Sequence, residues 1–193
     1  MNKKLAQNTF KNPKNPKRVL VFGKNGTISS KLRQIIGKSE LNIKFISSKN
    51  INLCDSKSSK KLQKLIVKND VIIFISAIAP AKTYSDYLNN ISMATNFCTY
   101  VEENKVSQFI YMSSDAVYSD NKKTLTESSF KDPKNIHGMM HVSRENIFKN
   151  KFLNKLLIIR PTLVYGETDT HNGYGPNLFI NSIKNNKKIK IFG

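Results

Sequence analysis

Four stretches of this sequence open on apolar runs about one strand long. They are VLVFG at 19–23, VIIFISAIA at 71–79, FIYMSS at 109–114 and LLIIRPTLVYG at 156–166. A strand that is apolar at every position is covered on both faces, which is the condition of strands in a parallel sheet. Between these runs the spacing becomes helical. Apolar residues fall at 28, 32, 35 and 36, and again at 62, 65 and 66. The spacing predicts helices over 28–36, 58–67, 85–104, 137–148 and 177–185, and strands over 18–22, 43–46, 71–76, 108–113, 156–160 and 189–192. Residues 119–135, rich in Asn, Lys, Asp, Ser and Thr, read as loop. Alternation of this kind predicts an α/β fold, a doubly wound parallel sheet with helices on both faces. Its ligands bind at the carboxyl ends of the strands.

The chain of 193 residues suits one domain. Residues 1–16, polar and basic with Pro13 and Pro16, read as a flexible leader, and 17–193 as the domain. No apolar run is long enough to span a membrane, and none follows the basic start as a secretory signal requires. Cys54 and Cys98 stand alone, as reduced thiols of a cytoplasmic protein do. The net charge of +19 comes almost entirely from Lys, with four Arg in all, and is spread along the chain. That is the pattern of a solvated surface. A dedicated nucleic-acid role is not expected, whereas an anionic small ligand suits the charge.

The first strand runs into GKNGTISS. Gly23 permits a tight turn, Gly26 allows close approach of a phosphate, and the amides opening the next helix face the anion. Ser29 stands where a third glycine completes G-x-x-G-x-x-G. The second strand ends in ISSKN, with no acidic residue to hold a ribose 2′-hydroxyl. Ser47, Ser48 and Lys49 suit a 2′-phosphate or plain solvent equally, so the cofactor expected is NAD or NADP, with a hint of NADP.

Taken in order, VFGKNG at 21–26, NLCD at 52–55, SSDAVYS at 113–119, HGMMHVSRE at 137–145 and RPTLVYG at 160–166 resemble the extended short-chain dehydrogenase/reductases. More narrowly, they resemble the NAD-dependent epimerase/dehydratase family of nucleotide-sugar enzymes. The resemblance implies a Rossmann-like fold and a part in sugar-nucleotide metabolism, such as surface-polysaccharide synthesis. It assigns Gly23, Asn25, Gly26, Thr27 and Ile28 to the phosphate loop, and Asn52 and Leu53 to the adenine. Ala77 falls where a small residue admits the ribose, and Asn90 where a helix Asn supports the site. Ser114 matches the group that hydrogen-bonds the reacting hydroxyl, and Glu127 an acidic residue before the catalytic helix. Arg160 and Pro161 match the strand end beside the nicotinamide. Expected partners are a dinucleotide, a nucleotide-sugar, and a second copy or a full-length homologue.

The family's chemistry rests on a helical Tyr-x-x-x-Lys, the Tyr as acid/base and the Lys lowering its pKa while holding the ribose. Here both positions are histidine, His137 and His141, with Gly138 and Glu145 still in register. Tyr118 and Lys122 also spell Tyr-x-x-x-Lys, but in turn-forming sequence without helical register. Four readings of the histidine pair stay open: a surrogate acid/base with Ser114 positioning the hydroxyl, a degenerate site, a metal pair with His171, or surface polar groups. The metal reading lacks the Glu of H-E-x-x-H, and no metal is expected. In the family, the segment KIKIFG leads into a substrate subdomain of roughly a hundred further residues. Most of that subdomain is expected to be missing here.

Overall fold

The computed structural model describes residues 15–37, 39–119, 124–166 and 175–189. Five strands, β1 (Val19–Phe22), β2 (Ile43–Ile46), β3 (Asp70–Phe74), β4 (Val106–Met112) and β5 (Leu156–Ile159), form one sheet. All are parallel, in the order β2-β1-β3-β4-β5. The helices are α1 (Thr27–Ile36), α2 (Ser59–Leu65), α3 (Tyr84–Tyr100), α4 (Ile136–Phe152) and α5 (Gly175–Lys184). Within the described residues the elements expected from spacing up to residue 185 are present, with shifted ends. A 3-10 turn at Asp115–Val117 precedes the stretch that reads as loop, and α4 continues to Phe152. Most of the leader, Lys122, His171 and most of the expected strand at 189–192 lie outside the described residues.

The chain turns back on itself between β1 and β3: β2 lies on one side of β1, and every later strand on the other. At such a switch the flanking loops diverge and leave a crevice. Registered neighbours share a face, so Leu20, Phe22, Ile72, Phe74, Phe109 and Tyr111 point the same way. They meet Phe97 of α3 and Phe148 and Phe152 of α4 in an aromatic core. Phe109 stacks on Phe152 at 4.5 Å, and Phe74 lies 5.0 Å from Phe148. Each such ring, fully buried, stabilises by about 1.5–3 kcal/mol. The opposite face is covered by α1, where Arg33 lies over the Phe45 ring at 5.3 Å. Toward β5 this face opens, with Leu157 and Ile159 exposed. At the amino end, buried Asp70 accepts Arg18 through both oxygens and the Val67 amide through one. That cluster anchors the sheet at the end away from the crevice.

Candidate functional site

The crevice at the carboxyl ends of β1, β2 and β3 has a volume of about 390 Å3. Of the predicted cofactor residues, Gly23, Asn25, Gly26, Ser47, Ser48, Asn52, Leu53 and Ala77 line it. Lys24, Ser76, Ile78 and Met93, which the motifs do not single out, line it too. Gly23 has φ +109, a conformation that suits glycine, and a Cβ there would lie 2.8 Å from the Ser76 nitrogen. The turn therefore packs directly on the end of β3. Gly26 differs. Its φ of −80 is open to any residue, and a Cβ there would meet nothing within 4 Å. The space above Gly26 is open, at the start of a ten-residue helix whose first amides could receive an anion. Thr27 and Ile28 form the first turn of that helix. Ser29 is fully buried, and its hydroxyl finds no partner. A small side chain fits the third-glycine position, at the cost of one unsatisfied oxygen.

Of the other predicted residues, Asn90, Ser114, Arg160 and Pro161 are not among those that line the crevice. Ser47 donates to Asn50 Oδ1, and Asn52 Oδ1 accepts the Cys54 amide, so both shape the turn they sit in. Ser48 and Lys49 are exposed beside them. Asn90 is buried, takes the Ile78 amide on its Oδ1 and donates to the Ile78 and Asp86 carbonyls. It holds the loop after β3 from behind. Arg160 is committed to Glu145 through two nitrogens, and its Nη1 donates to the Tyr118 hydroxyl and the Glu127 carbonyl. Pro161 gives its carbonyl to the Asp115 amide. Ser114 caps the 3-10 turn, accepting from the Ala116 amide and donating to Asp115.

Helix α4 carries the two histidines and comes close to the 3-10 turn at Gly138. A Cβ there would lie 2.0 Å from the Ala116 carbonyl oxygen, so a larger residue would push the helix away. Asn135 caps the helix through the Gly138 amide. The rings of His137 and His141 meet edge to face at 4.7 Å. His137 Nδ1 accepts the Ala81 amide at 3.3 Å, which leaves the proton of a neutral ring on Nε2. His141, only 4% exposed, pairs its Nδ1 with the Tyr111 hydroxyl at 2.7 Å. Burial first, then the Arg144 charge, then His137, drive the His141 pKa down to about 2, so the ring is neutral. It cannot supply the charge of a lysine. Among the described residues no cluster of ligating side chains could hold a metal.

Beneath the histidines lie two buried charges. Burial pushes the Glu145 carboxyl up, but hydrogen bonds from Arg160, Lys131 and Ser113 outweigh it and hold the pKa at about 2. Arg144 is fully buried, three residues beyond His141. Its guanidinium donates to the Ser76 carbonyl at 2.6 Å and to Asn90 Oδ1 at 3.2 Å, and lies over the rings of Phe74, Tyr111 and Phe148. The motifs miss Arg144, Tyr111 and Lys131. For Arg144 a signal exists: Met140, Arg144, Phe148 and Phe152 recur every fourth residue, which places the arginine in the apolar stripe.

A family profile described as the RmlD substrate binding domain matches residues 17–192. The chain belongs to that family. Among the family's relatives is the N-acetyl-alpha-D-glucosaminyl-diphospho-ditrans,octacis-undecaprenol 4-epimerase of Escherichia coli O157:H7, 26% identical over 174 residues. The match covers 81% of this chain and 51% of the epimerase, so the chain spans about half the length of the curated relative it matches. The fold is shared with a UDP-N-acetylglucosamine 4-epimerase from Methanobrevibacter ruminantium M1, solved with UDP-N-acetylmuramic acid. The TM-score is 0.74 at 22% identity, over 93% of this chain and 66% of that one. It is shared as well with the dTDP-4-dehydrorhamnose reductase of Bacillus anthracis str. Ames, solved with NADP. There the TM-score is 0.71 at 22% identity, over 87% and 59% of the two chains.

Proposed function

We propose that this chain is the dinucleotide-binding part of a nucleotide-sugar epimerase or reductase, with an altered catalytic helix. The observation that carries the reading is the pair of glycines. Gly23 has a positive φ that only glycine adopts freely and is packed against β3, whereas Gly26 has an ordinary φ and faces empty space at a helix start. A turn of purely structural purpose requires the first and has no need of the second. The dinucleotide's pyrophosphate would lie on Gly23, Gly26 and the opening amides of α1, its adenine near Asn52 and Leu53, and its ribose against Ala77. Ser47, Ser48 and Lys49, with no carboxylate at the end of β2, favour NADP. When bound, such a cofactor supplies a hydride acceptor or donor.

The protein's own residues at the reacting end depart from the usual pair. His137 stands in the tyrosine position, but its Nδ1 lone pair is taken by the Ala81 amide and its Nε2 carries the proton. In this geometry it donates a hydrogen bond, and to act as base it must first release Ala81. His141 is buried and neutral, and can neither attract a ribose hydroxyl as an ammonium does nor lower a neighbour's pKa. The same locked geometry favours a second reading, in which the domain binds a dinucleotide without efficient turnover.

Fluorescence titration with NADPH and NADH tests the first part. Binding of at least one, with NADPH the tighter, is expected; no binding of either at millimolar concentration overturns it. Turnover assays with UDP- and dTDP-sugars separate the two readings.

A further inference from the structure

Arg144 is the one fully buried cation among the described residues, and it sits in costly surroundings. Three aromatic rings and Met140 enclose it. Its Nε has no hydrogen-bond partner. The ion pairs among the described residues are Arg18–Asp70, Lys105–Glu102, Lys131–Glu145, Lys134–Asp132 and Arg160–Glu145, and none includes it. The adjacent Glu145 is already shared between Arg160 and Lys131. A buried charge without a counter-charge destabilises a fold, and an apolar side chain of similar volume commonly does better in its place. Arg144 therefore does not sit there for stability.

Its hydrogen bonds show where the charge is directed. Nη2 binds the carbonyl of Ser76, and Nη1 binds Asn90, which clamps both the amide and the carbonyl of Ile78. Ser76, Ala77 and Ile78 form a wall of the crevice, and Ser76 is the residue on which Gly23 packs. The guanidinium thus backs the wall of the crevice, shielded from solvent and salt. A fixed charge in that position attracts an anion on the other side of the wall.

We infer that Arg144 is a buried positioning charge of the crevice, whose missing counter-charge is the phosphate of an anionic nucleotide bound there. The inference rests on the reading of the crevice as a nucleotide site, and deepens it. Arg144 touches no ligand. It acts through the peptides of 76–78, and the fold tolerates its desolvation in exchange for anion affinity.

The test uses the full chain with Arg144→Met and Arg144→Lys, two probes (ADP and adenosine), and thermal unfolding. Arg144→Met fills the aromatic box without charge. The expected result is a melting temperature at or above that of the wild type, with ADP affinity weakened about tenfold and adenosine affinity unchanged. Arg144→Lys should recover part of the ADP affinity. A purely structural arginine gives another pattern, in which Arg144→Met lowers the melting temperature and weakens both probes alike or neither. Either form of that pattern overturns the inference. If Arg144→Met does not fold, Arg144→Lys decides: equal loss for ADP and adenosine overturns the inference, and ADP binding kept within about threefold supports it. Wild-type protein that binds ADP but not NADPH or NADH would defeat the dinucleotide reading and leave this one standing. Wild-type protein that binds no ADP defeats this one.

Discussion

At the carboxyl ends of the strands, the phosphate loop leaves its polar groups exposed and helix α4 buries its own. Asn25, Gly26, Ser48, Asn52 and Ala77 are exposed, and a side chain at Gly26 would touch nothing. On α4, His141, Arg144 and Glu145 are buried, and each polar contact they make is with the protein itself. Around the glycine turn the crevice is open. On α4 both the substituted His141 and the retained Glu145 have found partners inside the fold. A group held by internal hydrogen bonds must give them up before it can do chemistry, and that cost is what separates the two regions.

The comparison breaks most severely at Glu145. Replacing it with Ala leaves Arg160 and Lys131 facing each other at a buried position, and should cost about 3–5 kcal/mol. Urea unfolding reads this directly, and a loss below about 1 kcal/mol would mean that the triad is solvated and that α4 is as open as the loop.

Acid gives the next largest effect. His141 takes up a proton near 6.5 when unfolded but only at about 2 when folded, so the unfolded chain binds more protons and acid favours unfolding. Between pH 6.5 and 4.5 stability should fall by about 2.3 kcal/mol, the slope rising from about half to nearly all of 1.4 kcal/mol per pH unit. His141→Gln should flatten that slope. Below pH 4.5 Glu145 adds to it, because its depressed pKa contributes stability above the unfolded value and loses it as pH falls toward 2. A denaturation series across pH measures both.

The two glycines sharpen the comparison within the loop itself. Gly23→Ala meets both the positive φ and the Ser76 nitrogen, and should destabilise by about 2 kcal/mol while abolishing dinucleotide binding. Gly26→Ala should change stability by less than about 1 kcal/mol, yet weaken NADPH at least about tenfold. Thermal unfolding paired with NADPH titration checks both. Equal effects on stability would remove the distinction between a packed glycine and a ligand-facing one.

Much of this site was legible in the sequence because its signals are local. Gly23 follows the end of a strand and Gly26, three residues on, precedes the start of a helix, and such a turn can be read from the sequence next to it. The strands announce themselves by unbroken apolar runs, since burial on both faces leaves no polar positions. Gly138 and Glu145 marked α4 by register with the family's helix motif. The roles of Arg160 and Asn90 were less legible. Sequence places Arg160 at a strand end near the expected nicotinamide, but Glu145, fifteen residues earlier in the chain, takes two of its nitrogens. Asn90 holds a loop twelve residues earlier and is not among the residues lining the crevice. Long-range pairing of this kind leaves no mark in spacing.

The sequence alone determined the parallel α/β architecture, the glycine turn between β1 and α1, and the place of two histidines one turn apart on a helix. Each follows from patterns within about one helical turn or one strand. Only the tertiary structure decided what the histidines are able to do. Packing α4 against β4 and the loop after β3 brought Tyr111 to His141, the Ala81 amide to His137, and an unpaired arginine beneath both. Ionisation and hydrogen-bond capacity depend on burial and on neighbours distant in the chain, so these contacts, rather than the residue types, set the chemistry of the helix.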